Sequence, residues 1–189
     1  MTIPEIIFTF FFFAVFGWIF ELFLEIFGRR KILNRGFFKG PYIPIYAFGA
    51  FLEHYGCSPL KEHPLFVFIA GALMCSVMEY IAGIILEKIF HKRYWDYRLY
   101  PFSRWCTYQG RISLASATSF GVFALALVYY LWDVPIYIIN LFAFPVRLII
   151  SGVFLTVFVI DGYFSIKKYL RNKKELYPDR IAGNDEGLI

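Results

Sequence analysis

Fifteen consecutive residues, Ile6 to Phe20, carry no charge and a single hydroxyl, that of Thr9. As a helix at about 1.5 Å per residue, a span from Ile6 to Phe27 reaches about 33 Å, enough to cross a bilayer. Residues 65–86, 110–131 and 148–166 are similarly apolar. A fifth stretch, 40–55, is shorter and interrupted by Gly40, Pro41, Pro44 and Gly49, which suits a kinked or partly unwound span shielded by its neighbours. The chain has 189 residues, 59% of them hydrophobic, with 24 Phe, 14 Tyr and 4 Trp. A soluble core of that size could not hide so many large side chains. The fold expected is therefore all-α: one polytopic membrane domain over 1–166, with five transmembrane helices at about 6–27, 40–55, 65–86, 110–131 and 148–166. The apolar segment "PIYIINLFAFP" before the last span reads as an interfacial helix or as an extension of the fifth span. The opening residues, "MTIPEIIF", lack the basic stretch of a secretory signal, so none is expected.

The charges follow the spans. Five basic residues lie in 28–39, five in 88–104 and six from Lys167 onward, together 16 of the 19 in the chain. The opposite side has Lys61, with Arg147 near that edge. The positive-inside rule then puts the N-terminus outside and the C-terminus in the cytoplasm, which is the parity of five crossings. Residues 167–189 form a basic cytoplasmic tail expected to end in disorder. Because the net charge of +5 sits at the span edges, it points to membrane topology and membrane lipids rather than to nucleic acid. The implied location is a bacterial plasma membrane.

Ionisable groups inside a bilayer cost about 2.5–3.5 kcal/mol each on insertion scales and usually face a protein interior or a wet cavity. Glu21, Glu79, Asp161 and Arg111 all fall in the inner half of their spans. With Asn34, Arg35 and Asp96 reaching in from loops, they make a candidate substrate- or lipid-binding set open to the cytoplasm. The structural alternative is that pairs such as Glu79–Arg111 pin helices together. Glu25 and Glu87 lie nearer the rim, where they can snorkel to water or pair with loop cations. Arg35 has the two-pronged geometry that suits carboxylate or phosphate, and Gly36 and Gly40 allow tight turns around it. In "YWDYR", Tyr94, Trp95, Asp96 and Tyr97 read either as an interfacial belt or as a docking face for a cytoplasmic partner.

Glu53, His54, Cys57, Glu62 and His63 cluster in "EHYGCSPLKEH", but their spacing matches no regular metal site, so no metal is expected. Cys57, Cys75 and Cys106 form no CxxC pair, and no disulfide is expected. The chain has no P-loop, GxSxG, HExxH or dinucleotide fingerprint; no cofactor, ATPase or hydrolase motif is expected, and no catalytic residue is assigned. The first and third spans share an echo: a glutamate near the inner end (Glu21, Glu79), a basic aromatic loop, then a Gly-led helix start. A degenerate repeat and coincidence weigh equally here.

Six motifs occur in order: "GWIFE" (Gly17 to Glu21), "NRGFFKGPYIPIY" (Asn34 to Tyr46), Glu79-Tyr80, "LEKIF" (Leu86 to Phe90), "YWDY" (Tyr94 to Tyr97) and "GRISL" (Gly110 to Leu114). Together, from Phe16 to Gly121, they resemble the bacterial membrane proteins labelled putative ABC-transporter permease, type IV, CmpB-like, formerly a domain of unknown function. Ala47, Arg98 and Ser103 depart from that pattern. The resemblance implies transport, and with so few spans it implies homo-oligomerisation and a separate cytoplasmic ATPase subunit. It brings no catalytic residues. Three functions stay open from sequence: a small permease-like subunit, an enzyme or binder of lipid headgroups at the cytoplasmic leaflet, and a membrane scaffold or regulator.

Overall fold

The computed structural model describes residues 1–29, 37–91, 93–99, 103 and 106–176. The chain is all-α, built on six helices: α1 (Ile3–Arg29), α2 (Pro44–Cys57), α3 (Pro64–Phe90), α4 (Leu114–Ala126), α5 (Asp133–Asn140) and α6 (Phe144–Leu176). Proline opens α2 and α3, where its missing N–H and fixed φ cost nothing. A reciprocal Ser113/Ser116 capping box opens α4. Leu127–Leu131 forms a π turn, closed by a Trp132 N to Leu127 O bond of 3.1 Å, and carries α4 straight into α5. Four helical segments are long and apolar enough to cross a membrane: Ile3–Leu24, Pro64–Phe90, Leu114–Asn140 and Phe144–Arg171. They expose rows of Phe, Leu, Ile and Val to the outside of the bundle, as a chain solvated by lipid does. This is a membrane protein.

Two features differ from the sequence reading. The "PIYIINLFAFP" segment continues the fourth span rather than the fifth, because the wide π turn absorbs the disruption at Asp133 and Pro135. And α6 runs on to Leu176, into the expected tail. The remainder of that tail lies outside the described residues.

Helix α2 is the short member. Its 14 residues reach about 21 Å, less than the ~30 Å hydrocarbon core. It starts deep: the Ile43 N–H donates to the Ala14 carbonyl, at the middle of α1, at 2.9 Å. The non-helical residues before it are therefore inside the bundle, where every backbone N–H needs a partner. They all have one. Lys39 N and Gly40 N donate to the Asp161 carboxylate, each at 3.0 Å to Oδ2. Pro41 has no N–H, and Tyr42 N turns back to Gly40 O at 2.9 Å. The Tyr42 hydroxyl adds a third bond to Asp161 Oδ2 at 2.6 Å. Asp161 on α6 thus holds the unwound approach to α2 in place.

The core gathers around that approach. Phe13, Ala14, Tyr42, Ala47, Ala50, Leu127 and Trp132 form one buried cluster. Phe11 stacks on Phe154, and Phe38 on Phe158, which fastens α6 to α1 and the approach segment. Alanine and glycine at the crossings let helices come close, as is usual where lipid competes for the apolar faces. Gly17 is the sharpest case: a Cβ there would sit 2.1 Å from Cγ of Tyr46.

Candidate functional site

The basic end of the bundle, where α1 and α3 finish, brings together two carboxylates, each on the hydroxyl of a tyrosine. Glu21 on α1 accepts a bond from the Tyr46 hydroxyl of α2 at 2.7 Å. Glu79 on α3, 8% exposed, accepts one from the Tyr97 hydroxyl at 2.6 Å, while its second oxygen is buried without a partner. The two pairs sit in electrostatic reach of each other: Tyr46 feels Tyr97 and Glu79 as well as Glu21. Ser116 on α4 lies beside Glu79 and Tyr97. Burial and the adjacent Glu79 push the Tyr97 phenol well above its ordinary range, so it stays a hydrogen-bond donor. In each pair the hydroxyl comes from the segment that follows the glutamate-bearing span.

Gly17 makes the first pair. Its bare backbone lets the Tyr46 ring lie flat against α1, one helical turn from Glu21. The second pair depends on the loop after α3. A three-residue loop, Gln109 to Arg111, joins β1 (Thr107–Tyr108) to β2 (Ile112–Ser113); Arg111 N donates to Tyr108 O at 3.1 Å, closing a β-turn whose central residues Gln109 and Gly110 both have positive φ. Positive φ at both central residues is the type I′ pattern of tight hairpins. Tyr97 N donates to Gly110 O at 2.9 Å, and Trp95 Nε1 donates to Arg111 O at 2.9 Å. These two bonds strap residues 93–99 across the hairpin and aim the Tyr97 side chain inward at Glu79.

Among the described residues, Arg93, Arg98 and Arg111 form a network around Glu87 and Asp96 beside this cluster. Arg111 pairs with Glu87 at 2.6 Å, bonds Gln109 Oε1 and lies 5.9 Å from the Tyr80 ring centre. Arg93 bridges Glu87 at 3.3 Å and Asp96 at 3.2 Å. Arg98 clasps Asp96 from its other side, with Nε 2.9 Å from Oδ1. The Arg98 hydrogen bonds, helped by Arg93, hold the Asp96 carboxyl down at about 2. Arg111 meets Glu87 instead of Glu79, and Glu87, paired with both Arg93 and Arg111, is the rim acid that binds loop cations.

Of the seven residues read from sequence as a binding set, the structure brings Glu21 and Glu79 together. Arg111 and Asp96 stand in the rim network beside them. Asp161 lies apart, committed to the segment before α2. Asn34 and Arg35 lie outside the described residues. The proposed docking side chains Tyr94, Trp95, Asp96 and Tyr97 are half-buried, and the loop's outward residues are Arg98 and Leu99. Sequence reading misses Tyr46 as a functional residue, and it places Tyr97 on a docking face rather than against Glu79.

On the opposite side, His54 stacks on Trp132 at 3.7 Å between ring centres, and Glu53 is fully buried. Among the described residues, no group of three His, Cys, Asp or Glu side chains could hold a metal ion.

Comparison with curated proteins and with solved structures gives no match. One family model, described as "Putative ABC-transporter type IV", matches residues 8–166. That range takes in all or most of each of the four membrane-length helices among the described residues, both glutamate–tyrosine pairs and Asp161. The chain belongs to the "Putative ABC-transporter type IV" family.

Proposed function

We propose that this chain is a permease-like subunit of an ABC-type transport system, with the Glu21–Tyr46–Glu79–Tyr97 cluster as its polar working site. The observation that carries this reading is the meeting of two carboxylates from separate spans, one of which, Glu79, is buried with a phenol on one oxygen and no hydrogen-bond partner on the other. A buried acid of this kind inside a membrane-length helix is the type of group that serves a substrate or ion. The basic end faces the cytoplasm of a bacterial plasma membrane in this reading, by the positive-inside rule. The chain carries no ATPase motif, so a separate ATPase subunit docks at the Arg98–Leu99 edge of the 93–99 loop. Four membrane-length helices are few for a translocation path, which favours a homo-oligomer or further subunits.

The lipid-headgroup reading needs a cation free for phosphate. Among the described residues, Arg111 is engaged by Glu87 and Gln109, and Arg93 and Arg98 by carboxylates, which weighs against these three as its phosphate ligands. Native mass spectrometry of the protein extracted from its own membrane in mild detergent tests the proposal. An ATPase subunit at fixed stoichiometry is the expected result. A stoichiometric phospholipid without an ATPase would replace the reading with headgroup binding, and a bare protein would leave scaffolding in its place.

A further inference from the structure

Glu53 lies in α2, on the far side of the bundle from the basic end, and no part of the working site explains it. Its side chain is 0% exposed, and neither carboxyl oxygen has a hydrogen-bond partner. An ionised carboxylate so placed, with only the Cys75 thiol beside it and no cation among the described residues, is among the costliest polar groups a protein interior can hold; a neutral acid costs far less. Gly71 of α3 faces it: a Cβ there would stand 3.6 Å from Glu53 Oε1 and 2.2 Å from the Ala124 methyl of α4. Among the described residues no group of three possible metal ligands includes it, and the occupant that answers the cost is a proton.

The acid has company along one seam. Gly71, Cys75 and Glu79 fall at every fourth residue of α3 and are buried on the same face. Tyr46 and Glu53 are seven apart on α2, on the face turned to that seam. The Cys75 thiol stands within electrostatic reach of Glu53 on one side and Glu79 on the other, and contacts the Gly49 carbonyl at 3.9 Å. Glu53 lies about 10–12 Å along the helices from the Glu79 cluster. Among the described residues, the titratable groups facing Glu53 are Cys57 on its own helix and Cys75 on α3; α4 presents Ala124 and the Phe120 backbone.

We propose that Glu53 is a proton-binding site in the interior of the bundle, joined by Cys75 to the Glu79 cluster. In the closed bundle the carboxyl keeps its proton; it releases that proton to water only when the helices around α2 part. This gives the chain a one-proton step in addition to the polar site at its basic end, and it stands whether or not an ATPase partner exists.

Infrared spectroscopy tests it on the full chain in phosphatidylcholine–phosphatidylglycerol vesicles. At neutral pH the wild type is expected to show a protonated-carboxyl C=O band that shifts in D2O. Glu53→Gln removes that component, Glu53→Asp moves its frequency, and Glu79→Gln leaves it in place. The aspartate variant carries the test if the glutamine variant does not fold. No such band at neutral pH, or a band untouched by both Glu53 changes, overturns the proposal.

Discussion

Asp161 and Glu53 are both carboxylates set among membrane-length helices, and the fold treats them in opposite ways. Asp161 receives two backbone N–H groups and a phenol. Glu53 receives nothing. Neither is paired with a cation. The difference shows what each group is for. Asp161 exists to satisfy a stretch of chain that had to leave the helix inside the bundle, so its bonds are structural and its charge is consumed by them. Glu53 satisfies no neighbour, so its presence is not explained by folding. Glu21 and Glu79 fall between these cases, each with a phenol on one oxygen.

The widest test of that contrast is to remove each acid. Asp161→Ala strands Lys39 N, Gly40 N and the Tyr42 hydroxyl, and should cost about 2–4 kcal/mol, since bonds to a charged acceptor and the donors left behind both count. Thermal unfolding in detergent reads this as a large fall in Tm. Glu53→Leu removes an unpartnered group of similar volume and is expected to leave Tm unchanged or to raise it. Equal losses at the two positions would break the contrast.

Gly17→Ala comes next. The added methyl would collide with the Tyr46 ring and push its hydroxyl away from Glu21. Overpacking of this kind costs about 1–3 kcal/mol. A double change, Gly17→Ala with Tyr46→Ala, should recover most of the loss, and failure to recover it would show that Gly17 matters for another reason.

Tyr97→Phe removes the bond to Glu79 Oε1 and should cost about 1–2 kcal/mol. Its second effect sharpens the comparison: the 93–99 strap loses its only side-chain bond to Glu79 among those described, so protease cleavage in that loop should quicken while the hairpin bonds at Gly110 and Arg111 persist.

The smallest effect is the pH dependence of the rim. Asp96 titrates at about 2 in the folded chain, below the ordinary carboxylate range, because Arg98 and Arg93 favour its charged form. The stability it contributes is present above about pH 4, the unfolded range, and fades as pH falls toward 2. Asp96→Asn should flatten stability over that acid window and leave neutral pH nearly unchanged. An unaltered acid profile would mean that the rim pairs are too well screened to matter.

The sequence made the helical class and the depth of Glu21 and Glu79 legible, because long apolar runs with isolated acids leave few other readings. Their company was not legible. Tyrosines near membrane edges look like interfacial anchors, and only the hairpin at Gln109–Gly110 turns Tyr97 inward. Asp161 could be placed near the inner end of its span, but its task required knowing that residues 39–43 dip to the level of Ala14. The same dip hid Glu53: read with His54 and Cys57 as an irregular metal set at the end of the second span, it is buried in the last turns of α2. The break expected near Asp133 and Pro135 did not occur because one π turn widened the helix enough to pass through.

The most direct test of the central claim is ATP turnover by the complex purified from native membranes with Glu21→Gln/Glu79→Gln in this chain. The account predicts a complex that assembles in normal yield but loses most of its transport-coupled turnover, because the two acids form the working site. Full turnover in that double variant would contradict it and return both glutamates to a structural role.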